Sequence, residues 1–152
     1  MRQLALAAFR RYFMMFGLSL LPFSRLRIFV ARICGVKFGQ GCYLGFNVSF
    51  DTNHTSLIRI GDGVTISHSV SIYTHTGSPA TGRLTSIYNT IKPVTIGDGA
   101  WISANSVVLP GVTVGADCMI GAGSIVTRDT DPTSLYAGSP ARKIKSISLA
   151  IC

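Results

Sequence analysis

Three histidines, His54, His68 and His75, are the side chains of this 152-residue chain best suited to moving a proton near neutral pH. Imidazole titrates in that range without perturbation. A base of this kind can take the proton of a weakly acidic hydroxyl as its oxygen attacks a carbonyl. Histidines also bind metals, but no cysteine stands near these three at zinc spacing. The four cysteines, Cys34, Cys42, Cys118 and Cys152, include no C-x-x-C pair and read as reduced structural thiols. His75 differs from the other two in its context. It opens a stretch, Gly77–Pro93, rich in Gly, Pro, Ser and Thr. An ordered loop of this length in a compact protein usually carries function.

The elements that must position His75 show in a repeat of six residues, which runs from Phe38 onward. Phe38, Leu44 and Phe50 open the series, and Ile60, Ile66 and Ile72 continue it after a short insertion. Ile96, Ile102, Val108, Val114, Ile120 and Val126 follow at unbroken spacing. Most are followed four places later by a small or aliphatic residue, such as Cys42, Val64, Ala100, Ser106, Cys118 or Ser124. Six residues suit one flat face of a triangular solenoid, and three faces make a coil. The large aliphatic residue then points inward, and each coil buries its core by stacking on the next. The expected fold is an all-β solenoid, a left-handed parallel β-helix, with the loop at about 77–93 protruding. His75 comes third after Ile72 and should point outward at the root of that loop.

Residues 1–35 form a separate segment, the β-helix domain spans 36–146, and 147–152 form a tail. The first segment reads as two helices broken near Pro22, the second starting at Ser24 as N-cap and stopping at Gly35. Residues 1–50 carry Arg2, Arg10, Arg11, Arg25, Arg27, Arg32 and Lys37 and no acidic residue. The chain contains no Glu, and its formal net charge is +8. Such a balance suits nucleic acid, anionic lipid or a phosphorylated ligand. Nucleic acid is disfavoured, since no groove-reading helix motif or aromatic stacking platform occurs. Charged residues are only 13%, so part of the surface should be covered by sister subunits or a membrane. No stretch reaches the roughly 18 apolar residues of a membrane span. Tyr12–Ser24 imitates the apolar part of a signal peptide, but its flanks are basic on both sides and no small-residue cleavage site follows. The expected location is cytoplasmic, with residues 1–33 either capping the first coil or lying on the inner face of the plasma membrane.

Three passages resemble the hexapeptide-repeat acyltransferases, in particular the galactoside/maltose O-acetyltransferase-like branch. They are Ile72–Gly77 (IYTHTG), Lys92–Ile102 (KPVTIGDGAWI) leading into Ser106–Val112 (SVVLPGV), and Ile120–Thr127 (IGAGSIVT) with Ala137–Arg142 (AGSPAR). The short basic N-terminus looks more like the acyltransferases of exopolysaccharide, capsule and lipopolysaccharide clusters. The resemblance implies acetyl-CoA as acyl donor, a sugar hydroxyl as acceptor, no metal, and a homotrimer with the site between two prisms. It implies that His75 is the general base, with no acyl-enzyme, and that the backbone N–H of Ala104 holds the oxyanion. Trp101 would wall the acceptor or pantetheine tunnel, or else plug the coil. Gly121, Ala122 and Gly123 would let the pantetheine arm lie along the prism. Thr127, Arg128, Arg142 and Lys145 match positions near the phosphates of coenzyme A. Asn47 and Asp51, on an early coil that a neighbouring subunit presents, are acceptor-binding candidates, as are Tyr73, Arg83 and Tyr88.

Two other readings fit parts of the chain. A non-catalytic repeat scaffold explains the hexads but not the His-bearing loop. A γ-class carbonic anhydrase would use three histidines on zinc, yet that class places two ligands five apart, and here the gaps are fourteen and seven.

Overall fold

The structure, a computed structural model, describes residue 12, residues 18–76 and residues 89–148. The first expected helix, most of the loop including Arg83 and Tyr88, and Cys152 lie outside the described residues. Short strands stack in three parallel faces, giving the left-handed β-helix expected from the hexads. The first face holds β1 (Lys37–Phe38), β4 (Ile58–Ile60), β7 (Val94–Ile96) and β10 (Thr113–Val114). The second holds β2 (Tyr43–Leu44), β5 (Thr65–Ile66), β8 (Trp101–Ile102) and β11 (Met119–Ile120). The third holds β3 (Ser49–Phe50), β6 (Ser71–Ile72), β9 (Val107–Val108) and β12 (Ile125–Val126). At the C-terminal end, β13 (Ser134–Gly138) joins the second face beside β11, and β14 (Ala141–Ser146) pairs antiparallel with β13.

The hexad residues fill the interior as ladders of like side chains. Leu44, Ile66, Ile102 and Ile120 stack in register along the second face, each fully buried. Phe50, Ile72, Val108 and Val126 do the same on the third face. Val64, Ala100, Ser106, Cys118 and Ser124 fill the corners, also buried. Phe38 and Cys42 are only half-buried, because the first coil has no coil beneath it. None of the three described cysteines is in a disulfide, and burial raises the Cys118 thiol above its ordinary value.

Coil length shows where the prism is interrupted. Thr95 pairs with Thr113 and Val107 with Ile125, so the later coils take eighteen residues. Lys37 pairs with Arg59, four residues more, and Arg59 pairs with Thr95, eighteen more. Both extra segments, about 51–57 and 73–93, fall between a third-face strand and the next first-face strand. They therefore leave the prism at one and the same edge. An excursion there breaks no ladder, and in repeat proteins such insertions gather on the working face. The feet of the larger excursion are tied: Thr76 N–H donates to Thr90 O (3.0 Å), Lys92 N–H donates to Thr74 O (2.9 Å), and His75 bridges Ile91.

A single turn, α1 (Leu18–Leu20), and a helix, α2 (Ser24–Ile33), close the open end. Ser24 is not the N-cap. Phe23 takes that position in extended backbone, without a side-chain cap. The Ser24 hydroxyl instead accepts the N–H of Leu44 (2.8 Å). The reason is the terminal strand: β2 has a neighbour on one side only, and its outward backbone groups need partners. Arg27 satisfies the matching carbonyl, donating to Leu44 O from Nε (3.0 Å) and Nη2 (2.7 Å) while Nη1 donates to Leu21 O (2.6 Å). Arg32 does the same for β1 through Phe38 O and Gly39 O. Gly35, at φ +109°, ends the segment as expected.

Candidate active site

His75 lies at the edge from which both excursions depart. The backbone of Tyr73 still pairs with the next coil, its N–H donating to Val108 O (3.0 Å). Beyond it the chain turns outward, Thr74 is buried and the His75 side chain retains 25% exposure. The ring is therefore half sunk rather than fully outward. What holds it is Asp51, whose Oδ2 lies against His75 Nδ1.

Asp51 sits one residue past Phe50, and Phe50 pairs with Ile72 in the adjacent coil. That register brings the start of the smaller excursion beneath the start of the larger one. Oδ2 also accepts the Thr74 N–H (3.1 Å) and hydroxyl (2.7 Å), and Oδ1 accepts the Asn53 N–H (2.9 Å). The carboxylate has no exposed surface. Asp51 is thus not an acceptor contact offered by a neighbouring subunit. It is buried in its own chain, with both oxygens of the carboxylate engaged. Burial alone would raise its pKa, but the hydrogen bonds from His75, Thr74 and the backbone outweigh burial and hold it down at about 2. It is ionised at neutral pH and can only accept, so the shared hydrogen sits on His75 Nδ1. In the neutral imidazole this tautomer leaves Nε2 with its lone pair.

Sequence reasoning missed a second residue here. His54, at the far end of the DTNH turn that begins with Asp51, meets His75 edge to face with ring centroids 5.7 Å apart. The four extra residues of the first coil supply both neighbours of His75. The signal available in the sequence was the insertion itself, at the coil position directly before the His-bearing loop. His68 is elsewhere, stacked on Phe46 with Nδ1 accepting the Phe46 N–H (3.0 Å). The three histidines do not converge, which removes the geometry a three-histidine zinc site needs.

The remaining candidates fall into two groups. Tyr73, Thr127 and Arg128 share the His75 edge, following third-face strands, and each is exposed. Asn47, Ala104, Ala122 and Gly123 occupy the opposite edge of the third face, where each coil turns before entering it. Asn47, Asn105 and Gly123 turn that edge at φ of 53°, 59° and 68°. Gly123 N–H donates to Ala104 O (2.9 Å) and a Cβ at Gly123 would meet nothing, so this edge is open. Gly121 is different: a Cβ there would lie 3.0 Å from that of Ala137, and close packing on β13 already requires its small size. Trp101 lies on the outer side of the second face, 48% exposed, with Nε1 donating to Ser67 Oγ (3.1 Å). It does not plug the coil. Arg142 and Lys145 are exposed on β14, while Lys143 between them is engaged by Asp131 (2.9 Å). Within one chain, then, His75 and Ala104 stand at opposite edges of the same face.

Comparison with known proteins agrees with this architecture. Residues 93–128 match the family model described as bacterial transferase hexapeptide (six repeats). The galactoside O-acetyltransferase of Escherichia coli K12 is 38% identical over 114 residues, covering 74% of this chain and 55% of that protein. The chain thus spans about half the length of the curated relatives it matches. Among solved structures, a hexapeptide-repeat acetyltransferase of Vibrio cholerae complexed with acetyl coenzyme A superimposes with a TM-score of 0.69 at 25% identity. That match covers 96% of this chain and 90% of the other. A galactoside acetyltransferase in complex with coenzyme A gives 0.68 at 27% identity, covering 95% and 82%.

Proposed function

This chain belongs to the hexapeptide-repeat acyltransferases, and on that premise we propose that it transfers an acetyl group from acetyl-CoA to a sugar hydroxyl, with His75 as general base. The observation that carries the reading is the Asp51–His75 pair at the root of the two excursions. Asp51 fixes the ring and its tautomer, so that Nε2 accepts the proton of the acceptor hydroxyl. The freed oxygen attacks the thioester carbonyl. The oxyanion is held by the Ala104 N–H, a donor that any side chain can carry. The intermediate collapses with loss of the coenzyme A thiolate, which takes its proton from the His75 imidazolium. No covalent acyl-enzyme is formed.

Since His75 and Ala104 lie on opposite edges, we assign them to two copies of the chain that face each other across a groove in a homotrimer. Trp101 and Gly121–Gly123 then line the pantetheine arm, and Arg128, Arg142 and Lys145, with Thr127, meet the coenzyme A phosphates. Asn47, Tyr73, Arg83 and His54 belong to the acceptor side. The acceptor is a sugar of a surface polysaccharide, and the enzyme works at the cytoplasmic side of the membrane. Support for the donor comes from the relatives crystallised with acetyl-CoA and coenzyme A.

The test is a panel of sugars incubated with acetyl-CoA, reading thiol release and the acetyl ester. Turnover by the natural chain with a loss of roughly 10²- to 10⁴-fold in His75→Ala is expected. A folded, fully active His75→Ala protein would overturn the assignment. Failure to bind coenzyme A in calorimetry would favour a repeat scaffold instead.

A further inference from the structure

Helix α2 is apolar on two opposite faces. One carries Ile28 and Ala31, buried beside Arg27 against the first coil. The other carries Leu26, Phe29 and Ile33, spaced three and four apart and therefore aligned. They are 41%, 59% and 55% exposed, and Phe23 (70%) and Leu20 (81%), just ahead of the helix, are exposed as well. A surface helix ordinarily has one apolar stripe, and that stripe faces the core. Here the coil covers one side only among the described residues. Exposed Arg25 and Arg32 run along one flank of the stripe, and exposed Lys37 follows the helix.

We propose that this stripe seats α2 on an anionic lipid surface, with Phe23 and Phe29 in the acyl–headgroup boundary and Arg25 at the headgroups. Charge decides between this occupant and a second copy of the chain. No acidic residue precedes Asp51, so two copies meeting through α2 would set arginine against arginine without a carboxylate between them. An anionic bilayer offers both the apolar layer and the opposite charge. Contact along α2 also leaves the prism edges free, which lets donor and acceptor reach His75. The proposal deepens the reading of the chain as working at the inner membrane face, but it does not depend on acetyl transfer.

The experiment is vesicle sedimentation of the full chain, with phosphatidylcholine alone and with phosphatidylcholine mixed with phosphatidylglycerol. Coenzyme A binding by calorimetry, circular dichroism and light scattering are measured on the same preparations. The natural chain should pellet with the mixed vesicles and remain in solution with the neutral ones. Phe23→Ser/Phe29→Ser should stay in solution with both while keeping its circular dichroism and coenzyme A binding. Arg25→Gln should lower partition roughly fivefold, the share of one basic residue at such a surface. Three results overturn the proposal: no sedimentation with either vesicle, equal sedimentation with both, or a Phe23→Ser/Phe29→Ser chain that pellets like the natural one. A change in oligomeric state of that variant, with no vesicle binding by the natural chain, would identify the stripe as a contact between copies. Lipid binding without coenzyme A binding would sink the acetyltransferase reading and leave this one standing.

Discussion

The Nδ1 of His75 rests on the Oδ2 of Asp51, a carboxylate 24 residues earlier that no solvent reaches. The pair forms because two excursions from successive coils leave the prism at one edge. It fixes which ring nitrogen faces outward, and the chemistry proposed for the chain depends on that choice.

Asp51→Asn tests the tautomer. An amide of the same shape can donate to Nδ1, which moves the ring hydrogen to Nε2 and removes the base. Turnover should fall roughly 10²- to 10⁴-fold, with the KM for acetyl-CoA little changed. Asp51→Asn turnover within a factor of two of the natural chain would show that the carboxylate plays no part in orienting His75.

The same pair shapes stability in acid. The Asp51 carboxyl is held at about 2 against an ordinary 3.8. Its contribution is complete above the ordinary value and is lost as pH falls toward 2. Held that far below its ordinary value, the carboxylate contributes about 2 kcal/mol. Denaturant midpoints of the natural chain should therefore approach those of Asp51→Asn between about pH 4 and pH 2. Parallel curves over that range would contradict the depressed value.

His54→Ala removes the ring packed on the edge of His75. An edge-to-face aromatic pair contributes ~0.5–1.5 kcal/mol, so kcat/KM for the acceptor should fall roughly 2- to 10-fold. The KM for acetyl-CoA should hold. Replacement by Phe should restore much of the loss if packing is the cause. Kinetics indifferent to both substitutions would leave His54 outside the site.

Mixing tests the division of the site between copies. His75→Ala and Ala104→Pro chains, each inactive alone, should regain about a quarter of the activity when co-assembled at random. Pro removes the N–H that holds the oxyanion. An inactive mixture of folded chains would place both groups in one copy.

Arg27→Met tests the cap on the first coil. It deletes two donors to the buried Leu44 carbonyl, one to the Leu21 carbonyl, and the guanidinium 4.1 Å above the Phe46 ring. The loss should be roughly 2–4 kcal/mol, read as a lower denaturant midpoint. An unchanged midpoint would mean that the first coil needs no cap.

The six-residue period by itself determined the prism. Which side chain faces inward along a short strand follows from local alternation, so Leu44, Ile66, Ile102 and Ile120 could be stacked from spacing alone. The root position of His75 followed too, because the period stops there. The partners of His75 did not follow. Asp51 and His54 lie in an irregular turn where no period assigns a direction, and only the pairing of Phe50 with Ile72 brings them under the histidine. Arg27 is similar. In the sequence it is one of several arginines on a helix, and it is buried only because the first coil exposes backbone that nothing else can satisfy. Local periodicity fixed the scaffold, while the site and its cap were decided by contacts between segments distant in the chain.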